Sequence, residues 1–355
     1  MNILLVSGPG ISLKEPFDSG IEAFIVSFAK QLLDRGHTVD IVAEEANIIS
    51  SFSLINPFQK SSGQPSYIKK VLEKFHFKRM AIESYDVIHY NMFYPHLLKA
   101  GLDVKKTSFL TIHSPPDMKR ISVYRELLRT SSIRFVAISS RIKEQWDLAL
   151  DTDIPLINNG IDIDLWPVKK IQKQKYLLWS ARITEEKNVL AAISLAQYMQ
   201  LPLIITGRIV NQKYFDELVK PNLNSQIQYV GHVTQVELCN LSKNAIAFLA
   251  TATWQEPFGL AALEMLASGV PVVGFKTAVP KNWENVAVLT TESFHWQDLV
   301  ELIIKSYFVS PSICRDFASG MTIQKMTTEY LRLYEDVLIN NSKIKNAVSD
   351  TERMA

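Results

Sequence analysis

The sequence predicts two doubly wound α/β domains in tandem, facing a cleft. Three observations carry that reading. The chain has 355 residues, more than one hydrophobic core usually serves. Short, continuously apolar runs alternate with amphipathic stretches. The alternation breaks at Asn158–Pro167 and begins again after residue 175.

The first run, Ile3–Ser7, is aliphatic and ends at Gly8-Pro9-Gly10, which reads as a buried strand and a turn. Ile21, Phe24, Ile25, Phe28, Leu32 and Leu33 share one helical face, closed by Gly36. Further strands are predicted at Val39–Ala43, Asp86–Tyr90, Ser108–Ile112, Arg134–Ile138 and Pro155–Ile157. The second series is Tyr176–Trp179, Leu203–Thr206, Gln228–Val230, Ile246–Ala250, Val270–Gly274 and Val286–Leu289. Apolar strands separated by helices imply parallel sheets covered on both faces. The boundary falls in the Asn-Gly, Asp and Pro stretch between the series, giving domains 1–165 and 166–320. Residues 321–355 then hold a helix with Tyr330, Leu331, Tyr334 and Leu338, expected to return to the first domain. The polar tail from Asn340 is expected to fray.

Hydrophobic residues make up 47% and charged residues 21%, a globular composition. The net charge of +2 is not gathered in a tail, so nucleic acid is not an implied partner. Cys239 and Cys314 lie outside any CxxC or Cys/His cluster, which favours a reducing compartment. The N-terminus lacks a basic leader, and no apolar run reaches the roughly 20 residues of a membrane span. The expected location is cytoplasmic, with peripheral contact at the inner face of a membrane as an extension. Its carrier would be the basic, aromatic stretch Tyr67–Arg79.

The segment Glu256–Gly274 carries the most chemistry. A turn with Glu256, Pro257 and Gly259 leads into a helix from about Leu260 to Ala267, and a strand follows. Free amides near Phe258, Gly259 and Leu260 at that helix start suit a phosphate. Glu256 stands at the loop lip, and Glu264 lies one to two turns into the helix, placed to take ribose hydroxyls. Arg182 and Lys187 sit five apart on the loop after the first strand of the second domain, a spacing that lets two cations meet one diphosphate.

The segment Glu256–Gly274 resembles the E-x7-E signature of retaining glycosyltransferase family 4, the group 1 transferases with the GT-B fold of two tandem Rossmann-like domains. The resemblance implies that Glu256 contacts the donor sugar, Glu264 the ribose, and the Phe258, Gly259 and Leu260 backbone the distal phosphate. It places Arg182 and Lys187 on the diphosphate, with Gly207 at a nearby turn and Val233 beside the base, next to His232. In the first domain it places Gly20 at the phosphate and acceptor, and His113 against the sugar. Ser139 and Arg141 face the same cleft. The implied activity is a metal-independent hexosyltransferase, without cofactor, working in polysaccharide, glycolipid or glycoconjugate synthesis. Its donor would be a UDP-sugar, or a GDP-sugar, and its acceptor a glycan, glycolipid or small molecule.

The chain departs from the family at Ala181 and Ser19, where glycine is usual. It also replaces a Gly-Gly-x-x-Glu turn with Phe275–Asn285. Asp162-Ile163-Asp164 and Asp151-Thr152-Asp153 look like metal-binding DxD motifs but read as a hinge and a polar turn. Gly8-Pro9-Gly10 is an incomplete dinucleotide fingerprint. Two other readings stay open: a sugar-nucleotide 2-epimerase of the same architecture, and a non-catalytic nucleotide-sugar-binding subunit.

Overall fold

The computed structural model describes residues 1–8, 11–46, 53–56, 66–78, 82–102, 107–168 and 175–354. Pro9, Gly10 and Arg79 lie outside them.

The first domain is built on β1 (Asn2–Val6), β2 (Ser12–Leu13), β3 (Thr38–Val42), β4 (Glu45–Ala46), β5 (Ser53–Ile55), β6 (Val87–Tyr90), β7 (Thr107–Ile112) and β8 (Arg134–Ala137). Its helices are α1 (Gly20–Asp34), α2 (Ser66–Lys78), α3 (Pro95–Leu102), α4 (Met118–Thr130) and α5 (Ser140–Leu150). The main sheet is parallel in the order β5-β3-β1-β6-β7-β8, and β2 and β4 form a separate small pair. The second domain repeats the plan with β9 (Tyr176–Ser180), β10 (Leu203–Thr206), β11 (Ile227–Tyr229), β12 (Ala245–Ala250), β13 (Val272–Phe275) and β14 (Val288–Thr291). They are ordered β11-β10-β9-β12-β13-β14, again parallel. Helices α6 (Val189–Met199), α7 (Gln212–Tyr214), α8 (Gln235–Ser242), α9 (Leu260–Ala267), α10 (Leu299–Ser306) and α11 (Pro311–Ser319) accompany it. Strands β6, β7, β12 and β13 are buried along their whole length, which explains why they read as largely apolar runs, with His89, Thr107, Ser108 and Thr111 as buried polar exceptions.

Three details differ from the sequence reading. Pro155–Ile157 forms only an isolated bridge, Leu156 to Ala137, because Pro155 lacks a ladder donor. The first sheet gains its outer edge instead from β5, a three-residue strand too short to show periodicity. The long α12 (Ile323–Met354) continues past Asn340, where no glycine or proline interrupts the sequence. Its Tyr330 and Tyr334 are fully buried against the first domain. There the Tyr334 hydroxyl meets His89 Nδ1 at 2.5 Å, and the Tyr330 hydroxyl meets Thr111 Oγ1 at 2.8 Å.

The chain thus crosses between domains twice, and the crossings touch. Ile161 N donates to Met321 O at 3.2 Å, and Ile323 N to Ile161 O at 2.8 Å. Arg315 of α11 adds Nη1 bonds to the carbonyls of Ile163, Trp166 and Ala267, at 2.9, 2.5 and 3.0 Å. Gly160 permits the approach, since a Cβ there would lie 2.2 Å from the Thr322 carbonyl oxygen. Gly160→Ala should force the crossings apart at about 1–3 kcal/mol. In calorimetry its unfolding midpoint should fall by several degrees, at roughly 2–4 °C per kcal/mol. An unchanged midpoint would show that the crossing yields freely.

Candidate active site

A cleft of about 450 Å³ opens where the carboxyl ends of both sheets face each other. Both domains line it, and every residue singled out from the sequence as catalytic or donor-binding lies on its wall. In each sheet the central switch, β1 beside β6 and β9 beside β12, divides strands that were added in opposite directions. Loops leaving such a switch diverge and leave a crevice.

In the second domain the loops after β9 and β12 meet. Thr251 follows β12, and its Oγ1 donates to the carbonyls of Lys187 and Asn188, at 3.2 and 2.8 Å. It also accepts from Trp179 Nε1 of β9 at 2.9 Å. These bonds fix where Lys187 starts. Its ammonium forms an ion pair with Glu256, and Trp254 Nε1 donates to the same carboxylate oxygen at 3.0 Å. The ammonium also stands 5.0 Å from the centre of the Trp254 ring. Lys187 is buried, whereas Arg182 is exposed at the cleft wall.

Gly259 begins α9 at φ +88, a left-handed conformation that few other residues adopt, and no side chain caps the first turn. The amide end of the helix is therefore open toward the cleft, as an anion site requires. The Phe258 ring is buried and packs edge-on against buried Trp283 at 5.3 Å. Glu264 is buried, and Gln235 Nε2 donates to its Oε1 at 3.1 Å. Burial pushes this carboxyl up to about 8, against the Gln235 bond, with Glu15 adding a little. Gly207 packs on the Ala181 carbonyl, and Val233 forms the wall beside His232.

The first domain supplies the facing wall. His113, at the end of β7, bonds through Nε2 to Asn91 Oδ1 at 3.1 Å and lies 5.1 Å from the Phe24 ring. Burial holds it down to about 3, so it is neutral near pH 7. Gly20 starts α1 against the Leu260 side chain. The domains are bridged beside the cleft by an Asp18–Arg208 ion pair and by His232 Nε2 on the Phe17 carbonyl at 3.0 Å.

Glu256, at the loop lip as the sequence places it, pairs with Lys187 and accepts from Trp254 Nε1. His232 lines the cleft beside Val233, and its Nε2 meets the Phe17 carbonyl of the first domain. Gln235 and Asn91 are not evident from the sequence, because their amides have no motif to mark them. Asp162 caps a short turn, accepting from Asp164 N at 3.3 Å, and Asp153 pairs with Lys143. Among the described residues, no three His, Cys, Asp or Glu gather as a metal site. Both cysteines are buried, and no disulfide joins them.

Glu264 gives a pH test. Its folded value, about 8, exceeds the ordinary 4.5, so its stabilising share is complete below about 4.5 and is lost as pH rises through 8. Glu264→Gln keeps the acceptor for Gln235 and removes the titration. Its melting temperature should gain on the wild type between pH 5 and pH 9. A constant difference across that range would refute the neutral carboxyl.

Two family models together cover residues 19–307. "Glyco_transf_4: Glycosyltransferase Family 4" matches residues 19–165, and "Glycosyl transferases group 1" matches residues 161–307. An uncharacterized glycosyltransferase of Methanocaldococcus jannaschii is 23% identical over 296 residues, 72% of this chain and 76% of that protein. Sucrose-phosphate synthase from Thermosynechococcus elongatus superposes with a TM-score of 0.78 at 15% identity, covering 96% of this chain and 99% of its own. HepE of Anabaena, crystallised with UDP and glucose, gives 0.75 at 18%, covering 95% and 100%. The motifs, the paired six-stranded sheets and the two matched models agree, and the chain belongs to the family 4, group 1 glycosyltransferases of GT-B fold.

Proposed function

We propose that the cleft holds a nucleoside diphosphate sugar, and that the chain transfers its sugar to a hydroxyl acceptor with retention at the anomeric carbon. One observation carries this reading. Arg182, Lys187, the open start of α9 and the buried Glu264 line one cleft, and His113 stands on its other wall. The cations and amides suit the diphosphate, and Glu264 suits the ribose. Glu256 and His113 take the sugar side. As the anomeric bond breaks, charge grows on the departing phosphate, and Arg182, Lys187 and the helix amides stabilise it. This role is assigned to the protein's own groups, with no metal. The acceptor oxygen bonds to the anomeric carbon on the face the phosphate leaves, and its proton passes to a phosphate oxygen. HepE, with UDP and glucose, supports a UDP-sugar donor, and a GDP-sugar is the alternative. Polysaccharide, glycolipid or glycoconjugate synthesis would consume the product.

Arg182→Ala and Lys187→Ala should each lower turnover about a hundredfold to a thousandfold with folding intact. Nuclear magnetic resonance of donor sugars, with and without acceptor, reads this. Wild-type rates in either variant would sink the assignment, and donor conversion with no acceptor would indicate a 2-epimerase instead.

We further propose peripheral contact with an anionic lipid surface through α2. Tyr67, Val71 and Phe75 repeat every four residues and are 72, 65 and 51% exposed, with Lys70 and Lys74 exposed beside them. No helix among the described residues is long and apolar enough to cross a membrane. The protein should sediment with vesicles rich in anionic phosphatidylglycerol at low salt and be released by high salt. Lys70→Glu with Lys74→Glu should abolish the binding.

A further inference from the structure

The turn that replaces the family's Gly-Gly-x-x-Glu is held from the opposite domain. Lys276–Ala278 form one short helical turn after β13. The end of such a turn leaves carbonyls without helical partners. Arg141, on the first turn of α5, fills them. Its Nη1 donates to Glu256 O at 2.8 Å and Thr277 O at 2.9 Å. Its Nη2 donates to Lys276 O at 3.2 Å and Val279 O at 2.7 Å. Ser139, which caps α5 by accepting from Ile142 N, donates its own hydroxyl to Pro257 O at 2.6 Å. Within the second domain, Glu256 N also donates to Thr277 O at 2.8 Å. The loop of Glu256 and the turn at 276–279 are therefore one unit with a first-domain guanidinium at its centre.

We propose that Arg141 is a positioning residue, which shapes the sugar side of the donor site only when the two domains are closed. Arg141 is absent from the cleft wall, so it acts through others. The turn it holds contributes Ala278 to that wall, and the carbonyl of Ala278 comes near Gly259 at the start of α9. A planar guanidinium suits the task because it donates in several fixed directions at once. A lysine ammonium cannot span four carbonyls in this arrangement. On opening, the carbonyls would pass to water and the turn would lose its template. The diphosphate groups, Arg182, Lys187 and the α9 amides, belong wholly to the second domain and would keep their places. The sugar would then be gripped only in the closed form, which limits wasteful hydrolysis. That consequence rests on the nucleotide-sugar reading; the clamp itself does not.

Hydrogen exchange of the ligand-free protein, read by mass spectrometry, tests the clamp. Arg141→Ala should raise exchange in peptides covering 255–258 and 276–285 by about tenfold, with the rest unchanged. Arg141→Lys should do nearly the same and guards against a variant that fails to fold. Unchanged exchange in those peptides would overturn the proposal. Calorimetry with UDP and with UDP-glucose separates positioning from general damage. Arg141→Ala should keep UDP affinity within about twofold and weaken UDP-glucose about tenfold. Equal losses for both would also overturn it. If the wild type binds neither probe, the donor reading falls, and hydrogen exchange alone decides the clamp.

Discussion

The ion pair between Lys187 and Glu256 is the contact on which the site depends. It joins the loop after β9 to the loop after β12 across the switch point of the second sheet. A largely buried pair is costly to desolvate, and it holds only where further bonds satisfy both ends. Those bonds are present: the Trp254 indole donates to Glu256, the same ring faces the ammonium, and Thr251 fixes the Lys187 backbone. The Lys187 head and the Glu256 carboxylate are thereby held in fixed places, the pre-arrangement that the role proposed for Lys187 calls for.

The polar contacts between the two domains run largely to main-chain acceptors. Arg141 and Ser139 donate to carbonyls of the second domain, and His232 contacts a carbonyl of the first. Charged contacts between them, such as Asp18–Arg208, are half exposed and contribute little on their own. An interface of this kind can open without stranding buried charges. The crossings differ: Ile161 and Ile323 touch through main-chain bonds, and Arg315 ties the same stretch to the end of α9. That arrangement suits the domain closure proposed above.

The sheets were legible because a covered parallel strand is buried on both faces and so mostly apolar, as β12 and β13 are, with the few buried polar residues of β6 and β7 interrupting the pattern only briefly. The second-domain site was legible because its groups are chemically marked: a carboxylate pair around a helix start, and two cations on a strand-end loop. What escaped has a common cause. The sequence points Arg141 at the cleft, but the residue lies off the cleft wall and its partners are carbonyls, which every residue carries and no motif reveals. The bond between His89 and Tyr334 joins residues 245 apart, a pairing that only the fold creates. The strand β5 is three residues long, and Pro155–Ile157 looked like a strand because sequence shows apolar character better than it shows missing donors.

These differences also bear on the altered stretch after β13. A Gly-Gly turn gains its shape from backbone freedom, whereas here the shape comes from side chains brought in. Trp283 is buried with rings of Phe258 and Phe317 set edge-on to it, so the turn has its own apolar anchor. Arg141 then satisfies the carbonyls left over. Bulk below and a cation above replace glycine's flexibility with a turn whose form is set by its neighbours. Such a turn is costly to reshape from within, because its form is set by groups on either side of it, Trp283 below and Arg141 above. It can lose Arg141 and keep its apolar anchor, so its shape depends on the first domain while its attachment to the second does not.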